Sequence, residues 1–253
     1  MELSKEKYQE LSKLFIPQGM HNSDQLYIQD GKIYKIFNST DYIDEKERNI
    51  EFLIKNPIVH TPVIYDKILI DSQFAGYVMD YIPNAHTFRE ALHQDLTDEQ
   101  KIAAILDVYE TLGVLHSENI FLGDIHSDNF MIDSDGRGFV IDLEEIRFPG
   151  DEFKFKQCYL VNLNHASNKI NIPSKYTDNV KLMISSLSLL LNQDLEEYIS
   201  PTLHSINLEQ IYSEVILPLN NPSLNEYFEK LMMKQDVPYF GEYLEDLQQK
   251  LIK

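Results

Sequence analysis

The hydrophobic periodicity of this 253-residue chain changes character near residue 83. Before that point apolar residues alternate in short runs, "QLYIQ", "KIYKIF", "KILID" and "AGYVMDYI". Alternation puts successive side chains on opposite faces of a strand, the pattern of a sheet with one face buried. Asp30 and Gly31 separate the first two runs, and Asp-Gly in that setting specifies a tight hairpin. Between the second and third runs, "DYIDEKERNIEFLIKN" reads as a helix closed by Asn56 and Pro57.

Beyond Pro83 the period becomes mostly helical. "TFREALHQDL" is one helical stretch. "TDEQKIAAILDVYETLGVLHSEN" is a longer one, with Thr97 as N-cap and Gln100 at the capping-box position. Two short strands, "NFMID" and "GFVIDL", follow, joined by "SDGR", a turn by its chemistry. From about Asp178 the chain is helical again, and "DNVKLMISSLSLLLN" is its most apolar part. The expected fold class is therefore α+β. A small β-rich lobe with one helix spans residues 1–82, a crossing segment lies near 80–84, and a larger, mainly helical lobe spans 83–253. The closing stretch, "NEYFEKLMMKQDVPYFGEYLEDLQQKLIK", is amphipathic and is expected to close the larger lobe.

With 43% hydrophobic residues the chain can bury a sizeable core. No apolar run reaches the roughly 18 residues that a membrane span needs. "MELSKEKYQELSKLF" lacks the apolar core of a signal peptide, so a cytoplasmic location is expected. The single cysteine, Cys158, excludes an intrachain disulfide and a Cys-rich zinc site. Lys and Arg number 22 against 41 Asp and Glu, a net charge of −19, which argues against nucleic-acid binding. The charge would suit a cationic substrate or a basic patch on a partner, although solubility alone accounts for it.

The chemistry concentrates in "LGDIHSDNFMID", residues 122–133. Asp124, His126 and Asp128 occupy alternate positions, and an extended strand would turn all three to one side, as a metal site needs. No second His/Asp cluster completes such a site. The other grouping is Asp124 with Asn129, five residues on, and with Asp142 at the end of the next strand. One carboxylate can orient and deprotonate a hydroxyl. The second carboxylate and the amide supply hard oxygen ligands for Mg²⁺ on nucleotide phosphates.

With those residues in view, the chain resembles the protein-kinase superfamily. "LHSENIFLGDIHSDNFMID" is similar to the catalytic-loop region, "FVIDLEEI" to the metal-binding strand that follows, and "GKIYKIF" to the strand that carries the phosphate-binding lysine. "GYVMDYIP" resembles the hinge between lobes, and "YTDNVKLMISSLSLLL" the central helix of the large lobe. The matches run in family order from about residue 14 to 195. Residues 196–253 carry no matching motif.

The resemblance implies a bilobal kinase-like fold and an ATP- and Mg²⁺-dependent phosphotransferase. Asp124 would be the catalytic base, and Asn129 and Asp142 the Mg²⁺ ligands. Lys35 would contact the α- and β-phosphates of ATP, paired with Glu47 or Glu51. Met79 would be the gatekeeper, the backbones of Asp80 and Ile82 would hold adenine, and Gly19 would be what is left of the glycine-rich loop. Asp178 would anchor the catalytic-loop backbone, and His116 would be a buried structural histidine.

Departures from the family pattern carry their own implications. Gly123 stands where regulated protein kinases have arginine, the pattern of aminoglycoside and choline kinases. It implies no switching through a phosphorylated activation loop. "DLE" replaces Asp-Phe-Gly, so Glu144 adds a carboxylate near the metals. The expected activity is transfer to a Ser/Thr hydroxyl of a protein. A small hydroxylated acceptor of aminoglycoside or choline type is the alternative. The poor glycine loop supports a third reading, a pseudokinase that acts as a binding module.

Overall fold

The computed structural model describes Glu2, Glu10 and residues 24–151, 160–161, 174–200, 205–233 and 239–244. Gly19, Cys158, the rest of "MELSKEKYQELSKLF" and much of the closing segment lie outside the described residues.

The class is α+β. An antiparallel four-stranded sheet occupies the N-terminal part, in the order β1 (Gln25–Gln29), β2 (Lys32–Ile36), β4 (Gln73–Asp80), β3 (Ile64–Ile70). The β1–β2 register pairs Gln29 with Lys32 across Asp30 and Gly31, whose φ values of 51° and 72° are both positive. A two-residue turn of that hand matches the strand twist, which is why Asp-Gly closes it. Asp71 and Ser72, at φ 52° and 63°, close β3 onto β4 in the same way. Gly76 faces β2 so closely that a Cβ there would lie 1.9 Å from the Lys35 carbonyl oxygen. Only a residue without a side chain lets the two strands meet at Lys35.

Helix α1 (Ile43–Lys55) crosses beside this sheet with Asn49, Ile50 and Leu53 buried, and Asn56 caps it through its N–H to Phe52 O. The next loop ties the sheet to the helical part. Val140 N donates to His60 O at 2.9 Å, and Thr111 Oγ1 to Val59 O at 2.8 Å.

The larger part is built on α2 (Asp98–Ser117) and α3 (Lys175–Leu191). Thr97 and Gln100 form the expected reciprocal capping box on α2. Helix α3 begins at Lys175, earlier than Asp178, because Ser174 caps it. Every residue of α3 from Asp178 to Leu189 is buried, so it runs through the centre of this part. "TFREALHQDL" forms only one α-turn, Phe88–Ala91, capped by Thr87 and Glu90. Past it, His93 N and Gln94 N bond to carbonyls three residues back, which ends the helix in a tight turn. The two expected strands, β6 (Phe130–Ile132) and β7 (Gly138–Val140), are joined by β5 (His86–Thr87) in a three-stranded sheet. Asp133 closes the "SDGR" turn by accepting from the N–H groups of Asp135 and Arg137 at 2.9 and 3.0 Å. Helix α4 (Pro222–Met232) packs Phe228 and Leu231 into the same core.

One apolar cluster runs from Ile50, Tyr77 and Met79 through Leu112, Phe130 and Val140 to Leu182 and Phe228. Each such side chain contributes about 1.5–3 kcal/mol on burial, so sheet and helices are held mainly by this cluster. No described helix is long and apolar enough to cross a membrane.

Candidate functional site

The loop that carries Asp124 is fixed from below by two buried carboxylates. Asp178 Oδ2 accepts from Leu122 N at 2.8 Å and lies 3.1 Å from His116 Nε2, while His116 Nδ1 meets Tyr239 OH at 2.7 Å. Glu196 Oε1 accepts from Ser127 N, Ser127 Oγ and Ser185 Oγ at 2.7, 2.9 and 3.0 Å. Lys181 Nζ donates to Gly123 O at 3.1 Å. Gly123 itself has φ +78°, a conformation that favours glycine, and a Cβ there would meet the Arg147 side chain at 3.5 Å. Arg147 is pushed down to about 10 by burial, with Glu145, Asp151 and Asp124 partly offsetting. Asp178 and His116 are therefore structural, as expected. Glu196 escaped sequence reasoning because it lies where no motif matches.

On this base, Asn129 Nδ2 donates to Asp124 O at 3.0 Å, which locks the amide and the aspartate into one loop. The Asp124 carboxylate keeps 21% of its side-chain surface exposed. His126 does not join it as a metal ligand. Its Nδ1 accepts from Asp128 N at 3.3 Å and its Nε2 lies 3.7 Å from Asp124 Oδ2. Burial alone would lower the His126 pKa, but the hydrogen bond to Asp128 and the charges of Asp124 and Glu196 raise it. Asp128 turns instead to Arg89, which also holds Asp194 and Glu196. Among the described residues, no group of three His, Cys, Asp or Glu side chains has an arrangement that could hold a metal ion.

The second half of the site joins the sheet to the loop after β7. Lys35 is 2% exposed on β2, and its Nζ lies 2.9 Å from Asp142 Oδ1, 2.5 Å from Glu144 Oε1 and 3.6 Å from Asp24 Oδ2. Asp142 sits at φ 59°, in the left-handed region, so the chain turns sharply out of β7. The single turn over residues 143–145 then carries Glu144 inward, where its Oε2 accepts from Tyr77 OH at 2.9 Å.

The pairing expected between Lys35 and helix α1 is not what forms. Glu47 and Glu51 both bind Lys67 Nζ, at 2.6 and 2.5 Å, on strand β3, which β4 separates from β2. Helical geometry explains the correction. The buried stripe of α1 is Asn49, Ile50 and Leu53, and Glu47 and Glu51 lie together on the flank over β3. The flank over the site carries Asn49, whose Nδ2 donates to Glu144 O and Ile146 O at 2.8 Å each, and Lys46, 3.3 Å from Glu145 Oε1. Glu144 was visible in the sequence only as an extra acid. Its role as partner of Lys35, and the contributions of Tyr77, Asp24 and Asn49, were not.

The electrostatics of this cluster follow from one cation among three acids. Burial would lower the Lys35 pKa, but Asp142 and Glu144 outweigh it and raise it well above the ordinary value. For Glu144, burial is outweighed by Lys35 and Lys46, and its carboxyl is held low. For Asp142, burial together with the charges of Glu144 and Asp24 prevails over Lys35, and its carboxyl is pushed up. Asp142 thus sits in an excess of negative charge and is 19% exposed. Asp142 and Asn129 carry hard oxygen donors of the kind Mg²⁺ takes.

Of the residues expected at the nucleotide base, Met79 is buried on β4 between Ile33 and Ile64. Asp80 donates its N–H to Val63 O at 3.0 Å, so a contact to a base edge would fall to its carbonyl. Ile82 is half-buried just past the strand.

No family model matches the chain, and no curated protein does.

Proposed function

We propose that this protein is an ATP- and Mg²⁺-dependent phosphotransferase of bilobal kinase-like fold that acts on a Ser/Thr hydroxyl of a protein. The observation that carries the reading is the 2.9 Å contact of Lys35 Nζ with Asp142 Oδ1, which joins the N-terminal sheet to the hairpin beside the Asp124 loop. A phosphate-binding amine and a metal-binding carboxylate have to converge in this way for phosphoryl transfer, which depends on positioning and charge neutralisation.

In this reading Asp124 orients the acceptor hydroxyl and takes its proton as the oxygen attacks the γ-phosphorus. The bond from that phosphorus to the β-phosphate bridging oxygen breaks, and ADP leaves. Lys35 neutralises the α- and β-phosphates. Asn129 and Asp142 would hold Mg²⁺, which supplies charge compensation for the phosphates. Asp178 and Glu196 keep the Asp124 loop rigid, so little reorganisation is needed during transfer.

A second reading keeps the reaction and changes the acceptor to a small hydroxylated cation. Asp124, Asp128 and Glu145 favour it, since all three are acidic, partly exposed and close to the loop.

The test is mass spectrometry of the purified protein after incubation with ATP and Mg²⁺, alone, with a cell lysate and with aminoglycosides and choline. Mg²⁺-dependent addition of phosphate to serine or threonine supports the first reading. Addition only to a small molecule supports the second. No transfer to any acceptor, with no Mg²⁺-dependent stabilisation by ATP, contradicts both.

A further inference from the structure

Lys35 is buried in contact with Asp142 and Glu144, which follow β7, with Asp24 3.6 Å away, while the glutamates of α1 are occupied elsewhere. We propose that Glu144 is the positioning residue for the Lys35 amine, and that Lys35 is kept ready for phosphate without any glutamate from α1. The inference rests on the phosphotransferase reading for its functional consequence, but the pairing itself can be measured apart from activity.

Three observations support the assignment. Glu144 Oε1 is the nearest acid to Lys35 Nζ, at 2.5 Å, and is itself only 3% exposed. Its other oxygen is held by Tyr77 OH at 2.9 Å, so the carboxylate has one orientation. Its backbone carbonyl is held by Asn49 Nδ2, so α1 contributes a neutral clamp on the Glu144 turn in place of a charge on the lysine. The Glu144 carboxylate and Lys35 thus form one unit with β2 and β4. Loss of the Glu47 and Glu51 carboxylates would free Lys67 and leave the Lys35–Glu144 contact in place.

The experiment measures two quantities on Glu144→Gln and on the double variant Glu47→Gln/Glu51→Gln. One is the rate of acetylation of Lys35 and Lys67 by acetic anhydride, read by peptide mass spectrometry without nucleotide. The other is the split between KM for MgATP and kcat. Losing the carboxylate removes the nearest partner of the buried amine, which is then held only by Asp142 at 2.9 Å and Asp24 at 3.6 Å and reacts more readily. Glu144→Gln is expected to speed Lys35 acetylation several-fold and to raise KM for MgATP more than it lowers kcat. The double variant is expected to speed Lys67 acetylation and to leave Lys35 acetylation and KM unchanged.

Faster Lys35 acetylation in the double variant, or an unchanged rate in Glu144→Gln, overturns the proposal. If Glu144→Gln does not fold, Tyr77→Phe frees the same carboxylate more gently, and it is expected to move Lys35 acetylation and KM in the same directions. Were acetylation to follow Glu144 while the wild type neither binds nor turns over MgATP, the phosphotransferase reading would fall and the pairing would stand.

Discussion

Asp178 and Leu122 are joined by a 2.8 Å hydrogen bond from the Leu122 amide to a carboxylate 56 residues away in sequence. The same oxygen faces His116 Nε2 at 3.1 Å, so one buried acid sets both the end of α2 and the start of the Asp124 loop. Asp178→Ala would leave the Leu122 amide unsatisfied in the interior, at about 1–3 kcal/mol. Urea unfolding is expected to show that loss, and transfer activity should fall further than stability because the loop that carries Asp124 loses its support.

Lys35→Met would leave Asp142 and Glu144 without their cation. The expected cost at pH 7 is about 3–5 kcal/mol, the range for a buried pair with one partner removed. The pH dependence has a definite sign. The Glu144 carboxyl is held below its ordinary value of 4.5, because Lys35 and Lys46 outweigh burial. Its contribution is therefore present above 4.5 and is lost as pH falls through the lowered folded-state value. The variant lacks that contribution, so the gap between wild type and Lys35→Met should be widest near neutrality and narrow in acid. Paired urea titrations across that range check it.

His126 gives the opposite sign. Burial disfavours its charge, but Asp128, Asp124 and Glu196 prevail and raise its pKa above 6.5. A raised histidine contributes fully below its ordinary value, and the contribution disappears as pH rises through the folded value. Wild type should therefore lose more stability than His126→Gln as pH rises above 6.5, in thermal melts of the two proteins side by side.

Gly76 tests the link between strand packing and the site. A Cβ there would meet the Lys35 carbonyl oxygen at 1.9 Å, so Gly76→Ala forces β2 and β4 apart at the residue whose amine the site needs. Overpacking of this kind costs about 1–3 kcal/mol. Nucleotide affinity, followed by displacement of a fluorescent ATP analogue, should fall with it. Gly138→Ala, whose Cβ would meet Ala104 O at 2.0 Å where β7 packs on α2, should lower stability with a smaller effect on nucleotide.

What could be read in the sequence was local. Asp30-Gly31 sets its own turn, Thr97 and Gln100 cap each other, and Asp133 closes the hairpin of "SDGR", because each interaction lies within a few residues. Order along the chain also points to Lys35 with Asp142 and to Asp124 with Asn129, and each of these pairs is in contact, at 2.9 and 3.0 Å. The Lys35–Glu144 pair spans 109 residues, and nothing in either neighbourhood marks it. Its competitor was wrong for a reason visible only in part: the apolar stripe of α1 turns Glu47 and Glu51 away, but Lys67, which collects them, lies on a separate strand. The short helix at Phe88–Ala91 was read too long, because its apolar spacing continues past the tight turn that ends it.

The most direct measurement of the central claim is the rate of phosphate transfer from MgATP by Asp124→Asn beside the wild type, with circular dichroism to show that both are folded. A general base at this position contributes roughly 10²–10⁴-fold. The account expects a loss of that order in kcat, with MgATP binding and the unfolding transition retained. Transfer by Asp124→Asn at the wild-type rate would contradict it.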